Sequence, residues 1–201
     1  MERLQVTERH TFFMKYYLAP MEGQTTYNFR TIWNRCYGGL DKFLTPLISN
    51  RHMNSRERND VLPEHNEGMY TVPQVLTNKA EEFLSLAEQL AGYGYHEVNL
   101  NLGCPSGTVV ARTRGAGFLG TPRELETFLD EIFEKCPLKI SIKTRIGMEC
   151  PDEWAPLLKI YQKFPMKELI IHPRLQKEGY KGTPHLAAFA EAVAALQCPL
   201  C

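Results

Sequence analysis

The sequence predicts an α/β protein built on a parallel sheet, and three observations predict it. Short apolar runs of strand length alternate with amphipathic helical segments along most of the chain. Six such runs are each followed by a helix or a long loop. No low-complexity linker and no internal repeat interrupts the alternation, so the chain reads as a single domain, 1–201. Alternation of this kind favours parallel strands with helical crossovers.

Taken in order, Tyr16–Ala19 reads as a first strand. Phe29, Ile32, Trp33 and Cys36 then fall at helical spacing, and Gly38-Gly39 stops that helix. Lys42–Ile48 is a second strand. The polar stretch from Ser49 to Gly68 is too long for an ordinary connection, so it is a functional loop or hides a short helix. Tyr70–Leu76 is a third strand. Asn78 and Glu81 form a capping-box pattern before a helix whose apolar face is Ala80, Phe83, Leu84, Ala87, Leu90 and Ala91. Glu97–Asn101 is a fourth strand. Thr121, Pro122 and Glu124 mark a helix start, with Leu125, Phe128, Leu129, Ile132 and Phe133 as the buried stripe. Leu138–Ile142 is a fifth strand, followed by a helix capped by Asp152. Glu168–Ile171 is a sixth, followed by a helix starting at Thr183-Pro184, and a seventh strand begins at Cys198.

Composition narrows the function classes. The 201 residues are 43% hydrophobic and 23% charged, ordinary for a globular domain, which argues against disorder. A complete (β/α)₈ barrel usually needs about 250 residues. Twenty-three basic residues balance twenty-three acidic ones, so net charge alone does not mark a nucleic-acid binder. No apolar run is long enough to span a bilayer, and residues 1–10 lack the apolar core of a secretory signal. The six cysteines therefore read as reduced thiols of a cytoplasmic protein. Cys198-Pro-Leu-Cys201 has redox or metal spacing but reads as the start of a buried strand.

Chemistry in such sheets gathers at the carboxyl ends of the strands. Those ends carry Pro20-Met21, Gln74, Asn101 with Gly103-Cys104-Pro105, Lys143 with Arg145, and His172 with Arg174. Cys104 can serve as nucleophile, general acid or metal ligand, or as a small buried hydrophobe. No other Cys or His lies within a few residues, which disfavours metal. Lys143 and His172 suit an electron-rich ring, where a lysine stabilises negative charge on a reduced cofactor; the plainer alternative is solvated or internally satisfied side chains. Gly115-Ala-Gly-Phe-Leu-Gly120 matches G-x-G-x-x-G, but about a dozen residues separate it from its strand, which excludes a dinucleotide fingerprint. Its glycines instead let a long loop pack closely over a strand end or ligand. Arg51, Arg56, Arg58, Arg112, Arg114, Arg123, Lys177 and Lys181 cluster near the same end, as phosphate contacts or as solvated faces.

Six segments carry a resemblance. Leu18-Ala-Pro-Met-Glu-Gly-Gln-Thr25, Pro73-Gln-Val75, Asn99-Leu-Asn-Leu-Gly-Cys-Pro105, Arg114-Gly-Ala-Gly-Phe-Leu119, Ile142-Lys-Thr-Arg-Ile-Gly147, and His172-Pro-Arg174 with Tyr180-Lys-Gly182 resemble the flavin-dependent tRNA-dihydrouridine synthases, in family order. Leu175 and Glu178 depart from the family's Thr and frequent Gln. The resemblance implies a TIM barrel, incomplete here at six to seven of eight βα units, corresponding to the first two-thirds of the family's length. A carboxy-terminal helical tRNA-binding domain is then absent. It implies FMN held by Pro20, Met21, Gln74, Lys143 and His172, NADPH as reductant, and tRNA as partner, with no metal. Asn101 orients the uracil, Arg145 and Arg174 lie on the substrate side, and Cys104 is the general acid. Two other functions are weighed against it: a flavin barrel acting on a free pyrimidine, and a truncated, non-catalytic remnant that binds RNA weakly.

Overall fold

The computed structural model describes residues 14–201, so the segment read for an export signal, 1–10, lies outside it. Six strands form one sheet in sequence order with every neighbouring pair parallel. They are β1 (Tyr17–Leu18), β2 (Lys42–Ile48), β3 (Thr71–Val75), β4 (Glu97–Leu102), β5 (Lys139–Arg145) and β6 (Leu169–His172). The helices are α1 (Tyr27–Cys36), α2 (Ser55–Val61), α3 (Ala80–Gly92), α4 (Gly107–Val110), α5 (Pro122–Lys135), α6 (Trp154–Tyr161) and α7 (Leu186–Ala195).

The sheet is curled. In a flat sheet β1 and β6, five strand spacings apart, would be separated by roughly 24 Å. Instead the Tyr17 hydroxyl donates to Glu168, next to β6, at 2.7 Å, and Lys42 of β2 reaches the same carboxylate at 2.6 Å. This is an incomplete TIM barrel. Where a seventh strand is expected, Leu200 makes a single parallel bridge to Leu169: Leu169 N donates to Pro199 O and Cys201 N to Leu169 O.

Alternation on β4 sorts the two sides. Val98, Leu100 and Leu102 join the layer packed under the helices, with Phe83, Leu90, Leu129, Ile142 and Trp154. Each such side chain, fully buried, contributes about 1.5–3 kcal/mol. Glu97, Asn99 and Asn101 point into the barrel, whose apolar interior is small: Leu44, Val72 and Ile170, with Tyr17 against them. The interior is therefore polar at both ends. At the amino end Lys42 bridges Glu97 (3.2 Å) and Glu168 (2.6 Å), and Tyr70 donates to Glu97. A cavity of about 660 Å³ opens there, but its buried charges are already paired.

The long polar stretch does hide a helix. Asn54 and Glu57 cap α2 reciprocally, and Glu57 also takes the Ser49 and Asn50 side-chain or backbone N–H groups. Wholly buried Arg30 joins α1 to it, donating to Thr25 O (2.7 Å), Asp60 O (2.6 Å) and Asn66 Oδ1 (3.1 Å). Several expected caps are not made. Asn78 lies two residues before α3, whose cap position is Lys79. The Thr121 hydroxyl donates to Phe118 O instead of capping α5. Asp152 lies inside a 3₁₀ turn, Pro151–Glu153, and α7 begins at Leu186, not at Thr183. The Asn78 side chain is instead spent on Arg112 O at 3.2 Å, a contact across the loops that outweighs its local capping pattern.

Candidate active site

At the carboxyl end of β4 the chain turns sharply through Gly103-Cys104-Pro105, and four separate segments hold that turn. Asn101 Oδ1 accepts from Gly103 N at 3.1 Å and from Cys104 N at 2.9 Å. Arg145 Nε donates to Gly103 O at 2.9 Å. Ala116 N donates to Cys104 O at 3.1 Å, and Gln176 Nε2 to Pro105 O at 3.1 Å. The half-buried Cys104 side chain is thus carried on a fixed backbone.

The Gly115–Gly120 loop packs against this turn. A Cβ at Gly115 would come within 3.0 Å of Cys104 Cβ and O, and one at Gly117 within 2.8 Å of Val110 O. Gly115 also has φ +55°. Both glycines are required for close approach, as expected of a loop covering a strand end.

Around the turn the barrel mouth presents donors. Asn101, Lys143 and His172 project inward from β4, β5 and β6, and Lys143 is the register partner of both Asn101 and Ile170. Among the described residues no carboxylate pairs with Lys143. Burial, and then Arg145 beside it, hold its ammonium below the ordinary lysine range. Cys104 lies within electrostatic reach of both cations. Burial and the cations Arg145, Lys143 and Arg174 push the His172 imidazole down to about 4. Arg174 Nη1 faces His172 Nε2 at 3.0 Å, so Nε2 accepts and the neutral ring keeps Nδ1–H as its donor. This donor-rich set, in which Glu178 is the one carboxylate acting on His172, fits a planar ring bearing carbonyl oxygens and able to take up negative charge.

The other expected site residues are distributed as follows. Gln74 has no exposed surface; it lies beneath Asn101, whose Nδ2 donates to Gln74 Oε1 at 2.8 Å. Arg145 is 1% exposed, and its Nη1 donates to Leu175 O (3.0 Å) and Gly179 O (2.7 Å). Arg174 is half-buried and also donates to Gly182 O at 3.0 Å. Pro20 and Met21 follow β1 at the same end, in a turn closed by Thr25, with no hydrogen bond to the Cys104 cluster. Sequence reasoning missed Gln176 as a support of the turn. Tyr180, quoted only within a motif, stands 77% exposed with its ring 5.4 Å from the Arg145 guanidinium and 5.9 Å from His172. Of the basic residues, Arg51, Arg56, Arg114 and Lys177 are paired with Glu81, Glu22, Glu82 and Glu149. Arg58, Arg112, Arg123 and Lys181 are exposed and have no carboxylate partner among the described residues.

No described helix is long and apolar enough to cross a membrane, and no described group of three or more His, Cys, Asp or Glu could hold a metal.

Comparison with known proteins gives a consistent answer. The chain is 30% identical over 182 residues to a tRNA-dihydrouridine(16) synthase of Pseudomonas putida, covering 86% of this chain and 56% of that protein. It is 24% identical over 192 residues to tRNA-dihydrouridine synthase B of Xanthomonas campestris, covering 95% and 58%. It is 29% identical over 182 residues to a probable tRNA-dihydrouridine synthase of Staphylococcus aureus, covering 84% and 52%. The chain thus spans somewhat more than half the length of these relatives. The family model described as dihydrouridine synthase (Dus) matches residues 17–200. With that match over nearly all of the described chain, on a curled parallel sheet with its polar mouth at the strand carboxyl ends, the chain belongs to the dihydrouridine synthase family.

Proposed function

We propose that this chain forms the cofactor- and base-facing part of an FMN-dependent enzyme that reduces uridine in tRNA to 5,6-dihydrouridine. The observation that carries the reading is the convergence of Cys104, Asn101, Lys143 and neutral His172 at one barrel mouth without a carboxylate among them. The donor set fits an isoalloxazine ring, with Lys143 and His172 to hold it. FMN held there would, once reduced by NADPH, supply the hydride for uracil C6.

The chain's own residues do the rest. Hydride addition at C6 leaves negative charge on C5 and the adjoining carbonyl, and the Cys104 thiol supplies the proton C5 needs. Asn101 has its oxygen committed to the Cys104 turn and one N–H to Gln74, so a single N–H remains to donate to a base carbonyl. Lys143 and Arg145 supply a positive field where the charge develops. The unpaired cations Arg58, Arg112, Arg123 and Lys181 suit a phosphate backbone, which favours RNA over a free pyrimidine as substrate.

The test uses the chain extended to the length of its relatives, given FMN, NADPH and an unmodified tRNA transcript, with product read by mass spectrometry of the digested nucleosides. Dihydrouridine should form on tRNA and not on free uridine. Cys104→Ala should keep the flavin and lose the product. Equal turnover of free uridine, or full turnover by Cys104→Ala, would refute the reading.

A further inference from the structure

Behind Asn101 lies a row of buried side chains of which Gln74 alone has a role above, as an expected flavin contact. Gln74, Asn99 and Ser141 are register partners across β3, β4 and β5, and all three face the barrel interior. Gln74 and Asn99 are 0% exposed. Gln74 Nε2 donates to Asn99 Oδ1 at 2.7 Å, and Asn99 Nδ2 donates to Ser141 Oγ at 2.9 Å. With the Asn101-to-Gln74 bond at 2.8 Å, an unbroken series of hydrogen bonds runs from Ser141 to the backbone N–H of Cys104.

The direction of every bond in the row is forced. Two backbone N–H groups, of Gly103 and Cys104, point at one Asn101 atom, which must be the oxygen. Its nitrogen then faces Gln74, whose facing atom must be oxygen, and the Gln74 nitrogen in turn demands an acceptor at Asn99. A reversed amide anywhere would set donor against donor in a site without water access. Ser141 alone is indifferent, since a hydroxyl can donate or accept.

We infer that Asn99 is a positioning residue for Cys104, acting through Gln74 and Asn101 without touching cofactor or substrate. The inference rests on the reading of Cys104 as the proton donor. Among the described residues Asn99 supplies the one acceptor of the Gln74 amide N–H; without it Gln74 is free to turn, and Asn101 loses the partner that holds its oxygen toward the turn.

The row makes an unusual prediction about substitutions. Asn99→Asp keeps both bonds in the neutral form that burial favours: its carbonyl accepts from Gln74 and its hydroxyl donates to Ser141 Oγ. Asn99→Leu, similar in volume, keeps neither. The readout is the iodoacetamide alkylation rate of Cys104, followed by peptide mass mapping, with exposed Cys36 and Cys150 as internal references. Asn99→Leu should change the Cys104 rate about fivefold or more, in line with the loss of a buried hydrogen-bond partner. Cys36 and Cys150 should not change, and Asn99→Asp should fall within about twofold of the unaltered chain. An unchanged Cys104 rate in Asn99→Leu, or failure of Asn99→Asp to restore it, overturns the inference. If Asn99→Leu also raises the half-buried Cys136 and Cys198, it has unfolded, and Ser141→Ala decides instead. That variant removes only the outermost bond and should shift Cys104 alone, by about twofold; no shift overturns the inference. The assay needs neither flavin nor RNA. Absent dihydrouridine formation would refute the functional reading and leave the row standing, whereas an unresponsive Cys104 would refute the row alone.

Discussion

Arg145→Met separates two roles that the same residue could play. The sequence resemblance sets Arg145 on the substrate side, yet its guanidinium is almost wholly buried and spends its donors on three backbone carbonyls: Gly103 O at 2.9 Å, Leu175 O at 3.0 Å and Gly179 O at 2.7 Å. It therefore clasps the Cys104 turn to the loop that follows β6. Methionine replaces much of the aliphatic volume and none of the donors. A hydrogen bond from a charged group contributes about 1.5–3 kcal/mol. Gly103 and Gly179 lie on half-buried segments whose carbonyls recover water, so the net cost should be about 3–5 kcal/mol rather than the full sum of three bonds. Against a total stability of about 5–15 kcal/mol that is a large fraction. Urea unfolding measures it, and amide hydrogen exchange should report loosening concentrated at residues 103–104 and 175–180. Arg145→Lys, with a compact ammonium in place of the fork, should recover no more than about a third of the loss. A loss below about 1 kcal/mol, with unaltered exchange in both segments, would refute the clasp. Weakened RNA binding at unchanged stability would return Arg145 to the substrate side.

Other consequences are as direct. Lys42→Met leaves Glu97 and Glu168 buried without their cation and should cost about 3–5 kcal/mol in urea unfolding, most of it regained when both glutamates become Gln. Gly117→Ala drives a Cβ against the Val110 backbone and should cost about 1–3 kcal/mol. Gly107→Ala, with nothing within 4 Å, should leave the melting temperature near that of the unaltered chain. His172 should titrate near 4 by NMR rather than near its ordinary 6.5. Its folded-state value is depressed, so the unfolded chain binds more protons between those limits. The stability it contributes is complete above about pH 6.5 and is lost as pH falls toward 4. A midpoint near 6.5 would contradict the cationic surroundings assigned to it.

The sheet was legible because its evidence is regional. Alternation along Glu97–Leu102 fixes which side chains face the helices, and six such runs in sequence fix a parallel order. Strand bounds moved mainly where polar residues continue the strand, as at Lys143–Arg145 of β5. Caps were less legible because a capping pattern is local. The Thr121 hydroxyl is spent on Phe118 O, and near the start of α6 it is Glu153, not the expected cap Asp152, that gathers backbone N–H groups, those of Met148, Glu149 and Cys150. At the mouth, the types and ends of Cys104, Lys143 and His172 could be read, but not which donors are already spent. Burial of Gln74 and Arg145 depends on residues 27 to 42 positions distant. Asn99 did leave a signal: Glu97, Asn99 and Asn101 put three polar side chains on one face of a buried strand, a pattern that calls for an interior hydrogen-bonded row.

The measurement that bears most directly on the central claim is the visible absorption spectrum of the purified chain extended to the length of its relatives, with and without added FMN, beside that of Lys143→Ala at the same length. The account predicts a stoichiometric, spectrally shifted flavin in the unaltered chain and a weakened one in the variant. A folded chain whose added FMN keeps the spectrum of the free cofactor would contradict a flavin site at the barrel mouth.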